Sequence, residues 1–479
     1  MQMPRSPDAA AGTKPGRIPS ARIPVAQHVR ETVRLAAPLA IAQIAQIAMA
    51  ATDTILLGRL SSDALAAGGL SANIYFMLNI MLAGIVTACA VLVSQARGAK
   101  LEERVPVVYW STLLLSLLLA VPSFAILSSI GPLLRALDEP PTLVANVELY
   151  LSVLRWGVPA TLISNGLMRS FLPALEKPHL ITAVSLSAVG LNGLLNYALI
   201  YGAWGFPQLG LIGSATATLT TIVGSALALL VIVHTKKSTR RWIHPVRAQL
   251  KIVWELLRVG LPISVTYGVE LALFLAAGLM IAMFGTFASA AHQMVLNAAS
   301  ITFMVPMSIG QAANVRVGYW IGAGKGDEAR RAGFVATGIG ALFMSCTALV
   351  MLTVPQAIVS VYLDVHDPAN AATVATALGL LVFAALFQVA DGVQVIAFGA
   401  LRGLKDTKVP MLIASVGYWG IGFVVAWALA FRFDYGPSGI WAGLFIGLFV
   451  VAIAMILRFA RETRPGAPTL VRAMAQARK

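Results

Sequence analysis

The chain has 479 residues, of which 58% are hydrophobic and only 11% charged, and it carries a formal net charge of +15. A soluble domain carries about 25% charged residues, whereas apolar runs of about 20 residues, the length that crosses a bilayer, recur here from Val33 to the C-terminus. This excludes a soluble enzyme and defines an all-α polytopic membrane protein. The two cysteines, Cys89 and Cys346, both lie in apolar runs, which argues against a disulfide framework.

Five prolines and several basic residues fill the first 24 positions without an apolar stretch. Residues 1–32 are expected to form a cytoplasmic tail, disordered at its start. A signal peptide is the competing reading, but the apolar run that follows is long and lacks a clear small-residue cleavage site. Twelve spans are predicted, the first six at 33–57, 70–95, 107–127, 144–171, 179–201 and 211–234. A basic cytoplasmic linker occupies 235–258. Six more follow at 259–284, 292–315, 332–354, 374–398, 409–430 and 439–459, and 460–479 form a C-terminal cytoplasmic tail. The bundles are therefore expected at 33–234 and 259–459.

Charge tests this count. With the N-terminus inside, all of the 35 Lys and Arg residues except Arg59, Arg135, Arg155 and Arg432 fall on the inner side. Such an excess sets orientation by the positive-inside rule, with both termini cytoplasmic. It also accounts for the net charge, aided by attraction to anionic inner-leaflet lipid, and leaves a nucleic-acid role little to explain. Weak internal repeats relate each span to the one six later. The stretch Leu172-Pro-Ala-Leu-Glu-Lys-Pro-His resembles Leu401-Arg-Gly-Leu-Lys-Asp-Thr-Lys, Gly210-Leu-Ile-Gly213 resembles Gly436-Pro-Ser-Gly439, and Pro38 matches Pro262. Parallel repeats of this kind suit two bundles that rock about a central cavity.

Of the 20 acidic residues, only Asp53, Glu270 and Asp391 lie inside apolar runs. An ionisable group in hydrocarbon costs at least a few kcal/mol and is retained for function more often than for packing. Asp53 lies near the outer end of its span, so an interfacial role competes there. Glu270 and Asp391 lie about ten residues from a span end, roughly 15 Å deep at 1.5 Å per residue. Asp391 is flanked at spacings of three by Gln388 and Gln394, which share its helix face.

Two buried carboxylates can hold a proton or a cation, and a hydrophobic organic cation can compete for the same negative charge. Na⁺ would want several oxygen ligands, for which Gln388, Gln293 and Asn297 are candidates; ordinary interhelical hydrogen bonds are an equal alternative. In the first half, Gln43, Gln46 and Asp53 share one face, and Asn192 and Asn196, four apart, form another. Pro38, Pro159 and Pro262 are expected to kink their spans. Arg155 reads as a snorkelling side chain, paired with Glu148.

Enzyme chemistry finds no support. No HExxH pair occurs. The glycine-rich Gly318-Tyr-Trp-Ile-Gly-Ala-Gly-Lys-Gly fails the phosphate-loop pattern at Tyr319 and Gly326, so it reads as a turn.

Several segments together carry a family resemblance. They are Leu35-Ala-Ala-Pro-Leu-Ala-Ile-Ala-Gln, Thr52-Asp-Thr, the Gly-Val-Glu-Leu-Ala-Leu-Phe run around Glu270, Ala291-His-Gln-Met-Val-Leu-Asn, Val315-Arg-Val-Gly, and Phe387-Gln-Val-Ala-Asp-Gly-Val-Gln through Leu401-Arg-Gly-Leu-Lys-Asp-Thr. From Leu35 to Phe459 the chain resembles the multidrug and toxic compound extrusion (MATE) family in its bacterial NorM-like branch. The resemblance implies two six-helix bundles around a V-shaped cavity, and antiport of drugs against cations across the bacterial inner membrane. It implies Glu270 and Asp391 as the cation pair of the second half, and a Na⁺ site there if Na⁺ is the coupling ion. It implies Asp53 as the acidic residue of the first half, with Asn192 and Asn196 beside it. The sequence departs from the family at Phe387, where a tyrosine often stands, which removes one oxygen and leaves proton coupling open.

The expectation is thus a monomeric antiporter exporting hydrophobic cationic drugs and dyes in exchange for H⁺ or Na⁺, with no cofactor. A flippase for lipid-linked saccharides is the alternative, and a passive channel the next. A flippase would want a basic cavity, whereas the arginines here sit at the inner ends.

Overall fold

The computed structural model describes residues 23–477, so residues 1–22 of the expected N-terminal tail lie outside the described residues, while 25–32 belong to the first helix rather than to a tail. Apolar composition and the need to satisfy every backbone polar group within its own segment make helices the outcome in hydrocarbon. Among the described residues, eleven helices are long and apolar enough to span: α1 (Val25–Leu60), α2 (Ser62–Gly98), α3 (Arg104–Ala136), α5 (His179–Tyr201), α6 (Gly210–Thr235), α7 (Leu250–Ala282), α8 (Thr286–Gly322), α9 (Gly326–Thr353), α10 (Pro368–Gly403), α11 (Lys408–Arg432) and α12 (Gly436–Glu462). The predicted fourth span, α4 (141–174), is present but broken. Its α-helical pieces are interrupted by a 3₁₀ turn at Arg155–Gly157 and a π-helical stretch at Leu162–Met168. Gly157 and Pro159, the latter without a backbone N–H, stand where the regular ladder fails. A short C-terminal helix, α13 (Pro468–Ala477), packs Leu470 against Gly326.

Most helices run past the predicted spans because charged residues extend them beyond the hydrocarbon. The helix α7 begins at Leu250 and takes in Lys251, Glu255 and Arg258. Pro38 and Pro262 sit inside continuous helices, and each proline carbonyl accepts a threonine hydroxyl, from Thr182 at 2.6 Å and Thr266 at 2.9 Å. Arg155 does not pair with Glu148. It donates to Ser128 at 2.9 Å and lies over Phe124, while Glu148 is taken by Arg135, which the end of α3 brings within 2.5 Å.

The first six and last six spans meet through α1, α2 and α3 on one side and α7, α8 and α9 on the other. The junction lies at the basic end, the end that bears the Lys- and Arg-rich loops. There the halves approach to backbone contact. A Cβ on Gly98 would sit 2.0 Å from the Tyr319 carbonyl oxygen, and one on Gly322 would sit 2.1 Å from that of Gln95. The contact is reciprocal: 322 minus 98 and 319 minus 95 are both 224, the separation of Pro38 and Pro262. Ionic clasps flank it. Arg104 of α3 reaches Glu255 of α7 at 3.0 Å, and Lys405 joins that carboxylate at 2.8 Å. On the other side Glu328 of α9 meets the buried His28 at 2.9 Å, and Arg316 of α8 pairs with Glu31. Glu31 and Glu255 are again 224 apart, as are Arg104 and Glu328, so the clasps occupy equivalent positions with one charge reversed. Away from this end the packing loosens. Residues 312–318 of α8 are all buried, whereas Gln293, Asn297, Ser300 and Ile301 are exposed.

If this glycine crossing holds the halves together, Gly322→Val should lower the melting temperature in detergent. It should also lengthen the distance between spin labels at the exposed Lys100 and Lys325. Gly338→Val, where a Cβ meets nothing within 4 Å, should change neither. Equal behaviour of the two variants would remove the crossing from the account.

Candidate functional site

Two polar sites sit within the spans, one in each half. In the first half α1 carries Asp53 half-buried toward α5 and α6. Asn196 donates to its Oδ1 at 2.7 Å and Thr218 to its Oδ2 at 3.2 Å. Asn192, one turn earlier on α5, is wholly buried beside them. Tyr150 of α4 lies close enough to interact with the same carboxylate through space. The structure thus brings together Asp53, Asn192 and Asn196 and adds Thr218, which the sequence reading missed. Gln46 turns away to donate to Asn165 at 2.9 Å. Gln43 accepts from Arg169 and lies against Met307 of the second half.

In the second half Asp391 is 5% exposed on α10, with its Oδ1 unpartnered. Glu270 of α7 is half-buried and within electrostatic reach of Asp391. Among the described residues, no lysine or arginine forms a salt bridge with either. Gln394 is buried beside Asp391 on the helix, its Oε1 unpartnered. Gln388 is also buried, but its oxygen accepts from Thr302 of α8 at 2.8 Å and its nitrogen lies 3.3 Å from the Met351 sulfur. Its observed bonds are therefore interhelical. Gln293 and Asn297 are exposed and form no hydrogen bond with either carboxylate.

Two residues that the sequence reading did not single out complete this site. Tyr418 of α11 is fully buried, its hydroxyl has no partner, and it lies within electrostatic reach of both Glu270 and Asp391. It stands in a π-helical stretch, Val416–Phe423. Arg402, three turns from Asp391 on α10, is 5% exposed and faces Glu270 electrostatically. Its Nη1 donates to the Tyr267 hydroxyl at 2.9 Å, and its guanidinium lies 3.9 Å over the Phe398 ring. Its Nε and Nη2 have no partner. Phe387 packs edge-on to Phe274 and to Trp441, whose indole donates to His292 at 3.2 Å, so the missing tyrosine hydroxyl is replaced by an aromatic wall.

A carboxyl pair with free lone pairs, a free phenol, a free amide oxygen and one fixed cation nearby can bind and release a small cation. An unpaired carboxylate in so dry a place must be neutralised by a proton or an ion. Among the described residues no group of three or more His, Cys, Asp or Glu side chains has the arrangement of a metal cluster, so any ion here would rest on mixed oxygen donors.

Fold and sites together define a two-half, helical membrane transporter. The sequence model of the MatE family matches residues 38–198 and 262–428, once in each half. The chain is 53% identical over 439 residues to the "Probable multidrug resistance protein NorM" of Burkholderia mallei, covering 92% of this chain and 94% of the relative. It is 51% identical over 439 residues to the "Multidrug resistance protein NorM" of Burkholderia vietnamiensis, covering 92% and 95%. Its fold matches the eukaryotic MATE transporter AtDTX14 with a TM-score of 0.84 at 17% identity, covering 95% of this chain and 99% of that one. It matches the outward-facing conformation of a multidrug resistance MATE family transporter of the MOP superfamily with a TM-score of 0.81 at 20% identity, covering 94% and 97%. The chain belongs to the MATE family.

Thermal unfolding can separate ligand-ready groups from packing groups. Tyr418→Phe removes a hydroxyl that bonds to nothing and should leave stability within about 0.5 kcal/mol. Gln388→Leu breaks the bond to Thr302 and should cost about 1 kcal/mol. A Tyr418→Phe protein less stable than Gln388→Leu would mean that the phenol holds the fold together.

Proposed function

We propose that this chain is a secondary-active antiporter that exports hydrophobic organic cations, drugs and dyes among them, in exchange for H⁺ or Na⁺. Its site is a bacterial inner membrane, with the basic end and both termini cytoplasmic, and the chain acts as a monomer. The observation that carries the reading is the buried Asp391 carboxylate with its free oxygen, with the half-buried Glu270 within electrostatic reach and the free Tyr418 hydroxyl beside them. The names of the NorM relatives, as multidrug resistance proteins, supply the substrate class.

In this reading the basic-end junction is the closed cytoplasmic gate and the more loosely packed opposite end opens outward. From the outside a proton or Na⁺ reaches Glu270 and Asp391 and neutralises them. A bound organic cation then loses its electrostatic partner and leaves. The neutralised site lets the halves rock apart at the glycine crossing, the ion is released inward, and the bare carboxylates attract the next organic cation. Tyr418 contributes an oxygen to the ion, in the role left vacant by Phe387. Arg402 supplies a fixed positive charge that keeps ion binding weak enough for release. Asp53, with Asn196 and Thr218, forms a second protonatable site that responds to the same cycle in the first half.

Uptake of a fluorescent organic cation into inverted vesicles tests the proposal, with a pH gradient and a Na⁺ gradient imposed separately. Wild type should accumulate the dye with at least one gradient. Asp391→Asn and Glu270→Gln, expressed at equal levels, should fall at least tenfold toward background. Tyr418→Phe should raise the half-saturating concentration of the coupling ion roughly fivefold, the equivalent of one lost hydrogen bond of about 1 kcal/mol. Full activity in both acid variants would refute the assignment.

A further inference from the structure

The basic end of the first half carries a cluster of cations that the transport cycle does not use. Arg97, at the end of α2, and Arg241, in the linker, lie over the same indole, that of the buried Trp242, at 5.7 and 4.8 Å from its ring centre. Arg97 also donates to the Ala174 carbonyl at 2.5 Å and to Glu176 at 3.1 Å, which ties the α4–α5 turn to the same platform. Beside it, Lys177 faces Lys236, Arg241 and Arg97; His179 faces Lys236, Lys177 and Arg34. Partial burial, and then these three cations, hold the Lys177 ammonium below its ordinary value. Among the described residues, Glu176 with Arg97 is the only salt bridge any member makes. The set therefore concentrates positive charge from α1, α2, the α4–α5 turn and the linker, with Glu176 offsetting one of the cations.

Like charges gathered on a fixed platform raise the free energy of the fold unless an anion joins them. The position says which anion. The cluster crowns the ends of α5 and α6, and below it those helices expose apolar side chains: Leu186 is 54% exposed, Leu194 58%, Leu227 56% and Val231 59%. Gly190 and Gly224 on the same exposed faces have nothing within 4 Å of a Cβ position. A soluble phosphate could use only the charges; a phospholipid uses the charges with its headgroup and the apolar strips with its chains. We propose that Arg34, Lys177, Lys236 and Arg241, on the platform of Arg97 and Trp242, form a binding site for the phosphate headgroup of an anionic phospholipid. This is independent of the ion and substrate exchanged by the transporter.

The test uses the full-length protein in neutral detergent, with melting temperature read against added phosphatidylglycerol, cardiolipin, phosphatidylcholine, and inorganic phosphate or glycerol phosphate. Anionic lipid should raise the melting temperature well beyond phosphatidylcholine or either soluble phosphate. The variant Lys177→Gln/Lys236→Gln/Arg241→Gln should lose most of that rise, with lipid affinity falling roughly fivefold per cation removed. Lys177→Arg/Lys236→Arg should keep the rise, and so should Arg464→Gln, an exposed cation outside the cluster. If the glutamine variant does not fold, retention of anionic lipid by wild type and by the arginine variant, read by native mass spectrometry, decides instead. An equal response to phosphatidylcholine, a response to soluble phosphate alone, or an unchanged anionic-lipid response in the glutamine variant would overturn the proposal.

Discussion

A buried carboxylate, Asp391, set near a half-buried one, Glu270, with no salt-bridge partner for either among the described residues, is the constraint on which this structure turns. Asp391 is buried with a free oxygen, and Glu270 stands near it. The surrounding groups leave that deficit in place. Gln394 and Tyr418 bring unpartnered oxygens, and Arg402 lies near Glu270 without forming a salt bridge to it. A packing role would close such a network with hydrogen bonds, as Gln388 and Thr302 do one turn away. Leaving it open costs stability, and that free energy becomes available to an ion or a substrate when either binds.

The halves surrounding this deficit are built to part. They are joined at one end by glycines in reciprocal backbone contact and by two ionic clasps at equivalent positions. Close approach of small residues supplies dispersion and a defined geometry, without the interlocking of large side chains that would resist separation. The partly exposed Arg104–Glu255 pair contributes modest stability. Such a junction can hold one arrangement and yield to a bias of a few kcal/mol, which is the scale on which neutralising a buried carboxylate acts.

Eleven of the twelve predicted spans, and the three acidic residues inside them, stand out in the sequence, because hydrocarbon makes each conspicuous. Apolar length gives spans, and a lone charge inside one stands out. The broken fourth span was not legible, since the effect of Gly157 and Pro159 on the helical ladder depends on packing. The polar partners were half legible. Asn196 bonds to Asp53 with Asn192 beside it, as the family resemblance implies, but Gln46 turns to Asn165, and Gln293 and Asn297 stay exposed. Spacing fixes which residues share a face, not which way that face is rotated. Thr218 and Tyr418 were missed for the complementary reason. A threonine or tyrosine in an apolar run gives no signal of its own, and the site of Tyr418 lies within a π-helical stretch that no periodicity reveals. Arg155 was paired with the wrong group because Arg135 reaches Glu148.

The central claim is that the organic cation and the coupling ion compete for one negative site. The most direct measurement is proton release from purified protein in weakly buffered detergent as tetraphenylphosphonium is added, repeated over a range of Na⁺ concentrations. The account predicts that binding to wild type either expels protons or is displaced by Na⁺, and that Asp391→Asn shows neither. Tight binding to wild type with no proton release and no sensitivity to Na⁺ would contradict it.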